Sequence, residues 1–179
     1  MKKNWSPLMS AVFFKNMHHI QKFLLEGADV NERVCRQVTP LHEAAVNTCM
    51  FFLGVKGGSP LEACRLLIVN GAEIDSQDED GLTPLMYATL DGQHEVVELL
   101  IQKGAYLNQI DGEGETALHY ATKYGQSKIT ELLIANGADF TIKDYCGKTP
   151  LDNAGGYPDI ISLVKKTAVK QQLNQLDSN

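Results

Sequence analysis

The sequence predicts an all-α solenoid, built from helix-turn-helix units joined by tight turns. Three observations carry this. The stretch GLTPLMYATLDGQHEVVELLIQKGA, residues 81–105, returns as GETALHYATKYGQSKITELLIANGA at an offset of 33 residues. A fixed period of that length belongs to stacked supersecondary units, each too small to bury its own apolar face. Helix starts recur at Ser6-Pro7-Leu8, Thr39-Pro40-Leu41, Thr83, Thr116 and Thr149, and closing glycines recur at Gly27, Gly71, Gly104 and Gly137.

Within one unit each position has a physical reason. Thr83 stands where a helix N-cap belongs, so that its hydroxyl accepts an otherwise unpaired N–H of the first turn. Pro84 follows where a missing N–H costs nothing. Leu85 and Ala88 face inward, and Gly92 ends the first helix. Val96, Val97, Leu99, Leu100 and Ile101 form the apolar face of the second helix, which Gly104 stops in a left-handed conformation. The motif T-P-L-H/M-x-A followed by G-Q-H-E-V-V-E-L-L-I-x-x-G-A resembles the ankyrin repeat. That resemblance implies five repeats joined by short β-hairpin connectors in a single domain, 1–179, with starts near residues 5, 38, 82, 115 and 148.

Taken in order, repeat one departs most: Met9 stands where the motif has histidine and Lys15 where it has the inter-helix glycine. It is expected to be the N-terminal cap, with Lys15, Asn16, His18, His19 and Gln21 on a polar outer face. The connector 30–38 has Val34 and Gln37 in place of the Asp and Gly seen at Asp78/Gly81, Asp111/Gly114 and Asp144/Gly147. It is therefore expected to be misshapen or more mobile. Repeat two opens with TPLHEAAV and is then interrupted by an insertion, 48–58, before its second helix resumes near Pro60. The insertion is apolar at Met50, Phe51, Phe52, Leu53 and Val55. Two readings stay open: local packing onto repeats one and two, or a second contact site at Phe51 and Phe52. Repeats three and four are regular. Repeat five is two residues short between its helices, and the stretch 165–179 is expected to extend the last helix as a C-terminal cap.

Composition narrows the function. The 179 residues carry a formal net charge of −6, which disfavours nucleic acid, because phosphate contacts need clustered Lys and Arg. No apolar run is long enough to span a bilayer. The start MKKNWSPLMSAVFF is broken by Ser6, Pro7 and Ser10 and is not read as a secretory signal. The four cysteines, Cys35, Cys49, Cys64 and Cys146, form no CxxC pair and no metal-ligand spacing, so reduced thiols in a cytoplasmic setting are expected. No nucleophile elbow, phosphate loop or dinucleotide fingerprint occurs. His42 and His119 fall at the motif position whose histidines, by the resemblance, bridge repeats structurally. No catalytic residue, metal or cofactor is expected.

Charge distribution is the informative feature. Residues 73–115 hold eleven acidic side chains and one lysine, whereas residues 1–38 hold six basic and three acidic. The resemblance makes Asp78 and Asp111 structural turn residues. It places Glu79, Asp80, Glu113 and Glu115 at connector tips and Asp91 at a first-helix end on the concave side, positions that commonly meet partners in such proteins. Leu82 and Leu90 would add an apolar centre, Tyr124 and Tyr145 aromatic contact with a polar handle, and Lys123 and Lys148 a basic flank. The expected function is non-catalytic binding of a protein with a basic surface, by a monomer. Two alternatives come with the resemblance: a regulatory inhibitor of a partner enzyme, or a microbial effector delivered into a host cell.

Overall fold

The computed structural model describes residues 5–47 and 58–176, with side chains to residue 167. The insertion residues Phe51 and Phe52, and with them either reading of a second contact, lie outside the described residues. The chain forms two compact units, residues 1–106 and 107–179.

The first unit holds three helix pairs: α1 (Pro7–Phe13) with α2 (Met17–Leu25), α3 (Pro40–Ala44) with α4 (Pro60–Val69), and α5 (Pro84–Leu90) with α6 (His94–Gln102). First helices stack as α1 on α3 on α5, and second helices as α2 on α4 on α6. The second unit holds α7 (Ala117–Lys123) with α8 (Ser127–Ala135) and α9 (Pro150–Asn153) with α10 (Pro158–Leu176), stacked in the same manner. The fold is the expected all-α repeat solenoid. α10 starts eight residues after the start of α9, against ten for α5 and α6, and it continues to Leu176, into the stretch expected to extend the last helix.

Helix boundaries follow the caps. Ser6 accepts from the Met9 N–H at 2.9 Å and Thr83 from the Met86 N–H at 3.3 Å. Second helices close on Gly27, Gly71, Gly104 and Gly137, all at φ near +90°, and the following alanine N–H returns to a carbonyl five residues back, as Ala105 does to Leu100 at 3.0 Å. The core between stacked helices is aliphatic: Leu8, Val12, Ile20, Leu41, Leu67, Leu85, Leu99 and Leu100 in the first unit, Leu118, Leu133 and Ile160 in the second. Cys64 sits in it, and burial pushes its thiol up to about 12, so it acts as a small apolar residue.

The expected β-hairpin connectors are turns; no strand occurs among the described residues. Two backbone bonds close each aspartate connector: from Asp78 N–H to Leu82, Asp111 to Glu115 and Asp144 to Lys148, and from the Gly81, Gly114 and Gly147 N–H back to the aspartate carbonyl. The aspartate Oδ1 takes the N–H groups two and four residues on, 2.8–2.9 Å away, so the turn's donors are satisfied locally. Connector 30–38 lacks that side chain yet keeps the frame, with Val34 N–H on the Val38 carbonyl at 3.0 Å. The closing bond is kept, but the turn inside it is misshapen relative to the other connectors. Arg36 and Gln37 sit at φ 62° and 59°, Gln37 in the place of Gly81. Arg33 to the Gln77 carbonyl, Arg36 to Asp80 and Glu79 N–H to the Arg36 carbonyl hold it against the next connector.

Lys15 is the other correction. It takes the left-handed conformation of the missing glycine, φ 48°, but is 3% exposed instead of on the outer face. Its Nζ donates to the Glu43 carbonyl at 2.7 Å and the Val12 carbonyl at 3.3 Å, and its own carbonyl accepts the Gly58 N–H at 2.9 Å. A Cβ on Gly58 would stand 2.6 Å from that carbonyl oxygen, so only glycine fits where the chain re-enters repeat two. Asn16, His18, His19 and Gln21 are exposed as expected.

Two outcomes follow for stability. Leu99→Ala removes a side chain 1% exposed and should cost about 2–5 kcal/mol in urea unfolding; a loss below about 0.5 kcal/mol would contradict this packing. Gln37→Gly should raise stability by about 0.5–1 kcal/mol by relieving the left-handed backbone, and an unchanged or lower urea midpoint would show that Gln37 carries no such strain.

Candidate functional site

Whether a histidine in the fourth motif position is reactive or structural is decided by its two nitrogens. The Thr39 N–H donates to His42 Nδ1 at 3.2 Å, so that nitrogen is an acceptor and the proton sits on Nε2, 3.0 Å from the Leu82 carbonyl. His119 repeats this with Thr116 N–H at 3.0 Å and the Lys148 carbonyl at 3.2 Å. Each ring joins a helix start to the next connector and is spent structurally. Burial pushes the His42 pKa below the ordinary imidazole value, against the opposing pull of the Leu82 carbonyl.

In the first unit the structure brings Leu82, Leu90 and Asp91 together. With Val46 and Tyr87 they line a cleft of about 300 Å³ beside the ends of α3 and α5. Tyr87 is fixed there: its hydroxyl donates to Asp78 Oδ2 at 2.8 Å and its ring meets His42 edge-on at 5.0 Å. Burial and the Asp78 carboxylate hold the phenol protonated, with its pKa well above the usual range. Asp91 caps α5 and accepts from the Asn47 N–H at 2.7 Å and Gln93 Nε2 at 2.9 Å. At the tip beside it, Asp80 pairs with Arg36 while Glu79 is exposed.

In the second unit Glu113 is exposed, and its carbonyl accepts the Tyr145 N–H at 3.0 Å. The Tyr145 ring lies over Gly114, where a Cβ would come within 2.8 Å of it, and still leaves the side chain 69% exposed. Tyr124 and Lys148 are exposed as well. Glu115 is not at the surface as expected. It is 8% exposed and accepts from Lys123 Nζ at 3.0 and 3.2 Å, a bond that raises the lysine pKa. Glu115 is thus covered while Lys123 stays exposed, its ammonium engaged by the carboxylate. Tyr120 is anchored on Asp111 as Tyr87 is on Asp78.

Sequence reasoning missed Val46 and set Tyr87 aside. The signal was present: Val46, Leu90 and Lys123 each stand seven residues after their N-cap threonine. This one position is apolar in two repeats and cationic in the third. Among the described residues no three His, Cys, Asp or Glu side chains gather as a metal site, and no helix is long and apolar enough to cross a membrane.

A family model described as ankyrin repeats in three copies matches residues 51–144, and one described as an ankyrin repeat matches residues 3–34. The chain belongs to the ankyrin-repeat family. Ankyrin repeats are generally protein-interaction modules and are typically non-catalytic. No curated protein matches the sequence.

The depressed His42 pKa sets a pH dependence. A neutral buried imidazole contributes stability that is complete above the unfolded value near 6.5 and is lost as pH falls through the folded value. The urea midpoint should therefore fall between about pH 7.5 and pH 5, and less steeply in His42→Gln than in the parent chain. Equal slopes in the two chains would remove His42 from the linkage.

Proposed function

We propose that the chain binds a partner protein through its connector tips and first helices, without catalysis, and that the partner presents a basic segment with an apolar side chain. One observation carries this: the first unit has an apolar cleft between α3 and α5, lined by Val46, Leu82, Tyr87 and Leu90 together with Asp91, and the same unit exposes Glu79 at a turn. An apolar anchor site with a carboxylate in its lining suits an apolar residue flanked by Lys or Arg, the anchor giving affinity and the charge giving rate and orientation. In the second unit Glu113, Tyr124, Tyr145 and Lys148 supply exposed polar and aromatic contacts of the kind that enrich recognition surfaces. The turns that carry these residues are tied by their own hydrogen bonds, so binding orders little of this chain.

The test is capture from lysate followed by titration of the purified partner. Glu79→Lys with Glu113→Lys should weaken binding by about tenfold at low salt and by less at moderate salt. Leu90→Asp should abolish it while the fold, followed by circular dichroism, is kept. A partner held equally by all three chains would sink the reading.

A further inference from the structure

The cleft of the first unit lies between two repeats, and hydrogen bonds join its walls at both ends. Past the end of α3, the Asn47 N–H donates to Asp91 Oδ2 at 2.7 Å. At the turn before α5, His42 Nε2 donates to the Leu82 carbonyl at 3.0 Å, and the His42 ring lies edge-on to Tyr87 at 5.0 Å. Leu82 and Tyr87 both line the cleft, whereas His42 is fully buried and is not part of the lining. It holds two lining side chains from behind.

That hold depends on the protonation state of the ring. In the neutral ring Nδ1 accepts the Thr39 N–H at 3.2 Å. A proton on Nδ1 sets a second donor against that N–H and leaves it without an acceptor inside the core. The ring then turns away, and the bond to Leu82 and the edge contact with Tyr87 go with it. The charges around the ring oppose one another: Asp78, in the turn before α5, favours the cation, and Arg33, in connector 30–38, disfavours it. Asp78 is already engaged by the Tyr87 hydroxyl and by the Asp80 and Leu82 N–H groups. α1 and α5 carry no charged residue, and Lys15, beyond α1, is bound to the Glu43 carbonyl. Glu62 and Arg65 on α4 are exposed, and Glu43 on α3 itself is half-buried. Burial outweighs these charges and disfavours the charged ring.

We propose that neutral His42 is the positioning residue of this cleft, and that its protonation in acid loosens Leu82 and Tyr87 and releases the bound partner. The inference rests on the reading of the cleft as the binding site. His119 is the internal control: it makes the same two bonds, to the Thr116 N–H and the Lys148 carbonyl, in the other unit and away from this lining.

The full chain, isotope-labelled at Leu methyls and at Tyr and His rings, is titrated by NMR from about pH 7.5 to pH 5, the range in which imidazole changes charge, with the fold followed by circular dichroism. The Leu82 methyl and Tyr87 ring signals should move along the titration curve of the His42 ring. They should stay still in His42→Gln, whose amide keeps the helix cap but does not titrate. The binding probe is a peptide with one Leu flanked on each side by Lys residues. The parent chain and His119→Gln should each bind it about tenfold more weakly at the acid end. His42→Gln should bind it about tenfold more weakly than the parent at neutral pH, with no further loss in acid. Leu82 and Tyr87 signals that do not follow the His42 ring overturn the proposal, and this result needs no variant to fold. Equal parent affinity at both ends of the range, or a pH dependence that His42→Gln keeps or His119→Gln loses, overturns it too and leaves the cleft as the binding site. A peptide that binds no chain at either pH overturns the cleft reading, and the release with it.

Discussion

A short helix leaves its first N–H groups without partners, and in a stack of short helices those ends are buried. The threonine and the residue three positions on solve this together. Thr39 with His42 and Thr116 with His119 close the helix start, and the free imidazole nitrogen reaches the connector of the following repeat. One side chain thereby caps its own helix and fixes the register of its neighbour. Everything displayed at the connectors inherits its position from this bond and from the aspartate that clamps each turn.

The repeats that lack the histidine show what it adds. Met86 offers Thr83 only a thioether at 3.5 Å, and nothing beyond its sulfur can bridge onward. Asp152 caps Thr149 well, its carboxylate 2.8 Å from both the N–H and the hydroxyl, but it is exposed and ends the interaction within its own turn. Cap and bridge are thus separable, and only histidine among these three supplies both, because its two nitrogens face opposite ways.

Much of this was legible because it rests on local chemistry. Period, threonine caps, prolines after them and closing glycines each answer to one residue and its immediate backbone, and the helices stand where those residues set them. What was not legible depends on partners distant in sequence. Lys15 reads as a surface cation until the Glu43 carbonyl and Gly58 close around it. Glu115 reads as a tip carboxylate until Lys123, one helix on, covers it. Gln37 reads as a broken turn because sequence shows a missing glycine but not the Arg33 and Arg36 contacts that hold the same conformation without it. The cleft was half legible: Leu82, Leu90 and Asp91 stood at exposed motif positions, while Val46 needed the α3–α5 contact to bring it alongside.

The same lesson applies to charge. Residues 73–115 count eleven acids against one lysine, which reads as a strongly negative surface. Residue by residue the excess is largely engaged. Asp78 and Asp111 bind their own turns and a tyrosine, Glu73 meets Arg33 and Ser76, Asp75 takes the Tyr106 N–H, Asp80 meets Arg36, Asp91 takes Asn47, and Glu115 meets Lys123. A carboxylate holding two backbone N–H groups has little left to offer a ligand, and surface pairs are individually weak and screened. The long-range field still responds to the whole sum, whatever the local pairing. What is left for short-range contact is the exposed remainder: the Glu79 and Glu113 carboxylates at the turns and the apolar lining of the cleft between α3 and α5.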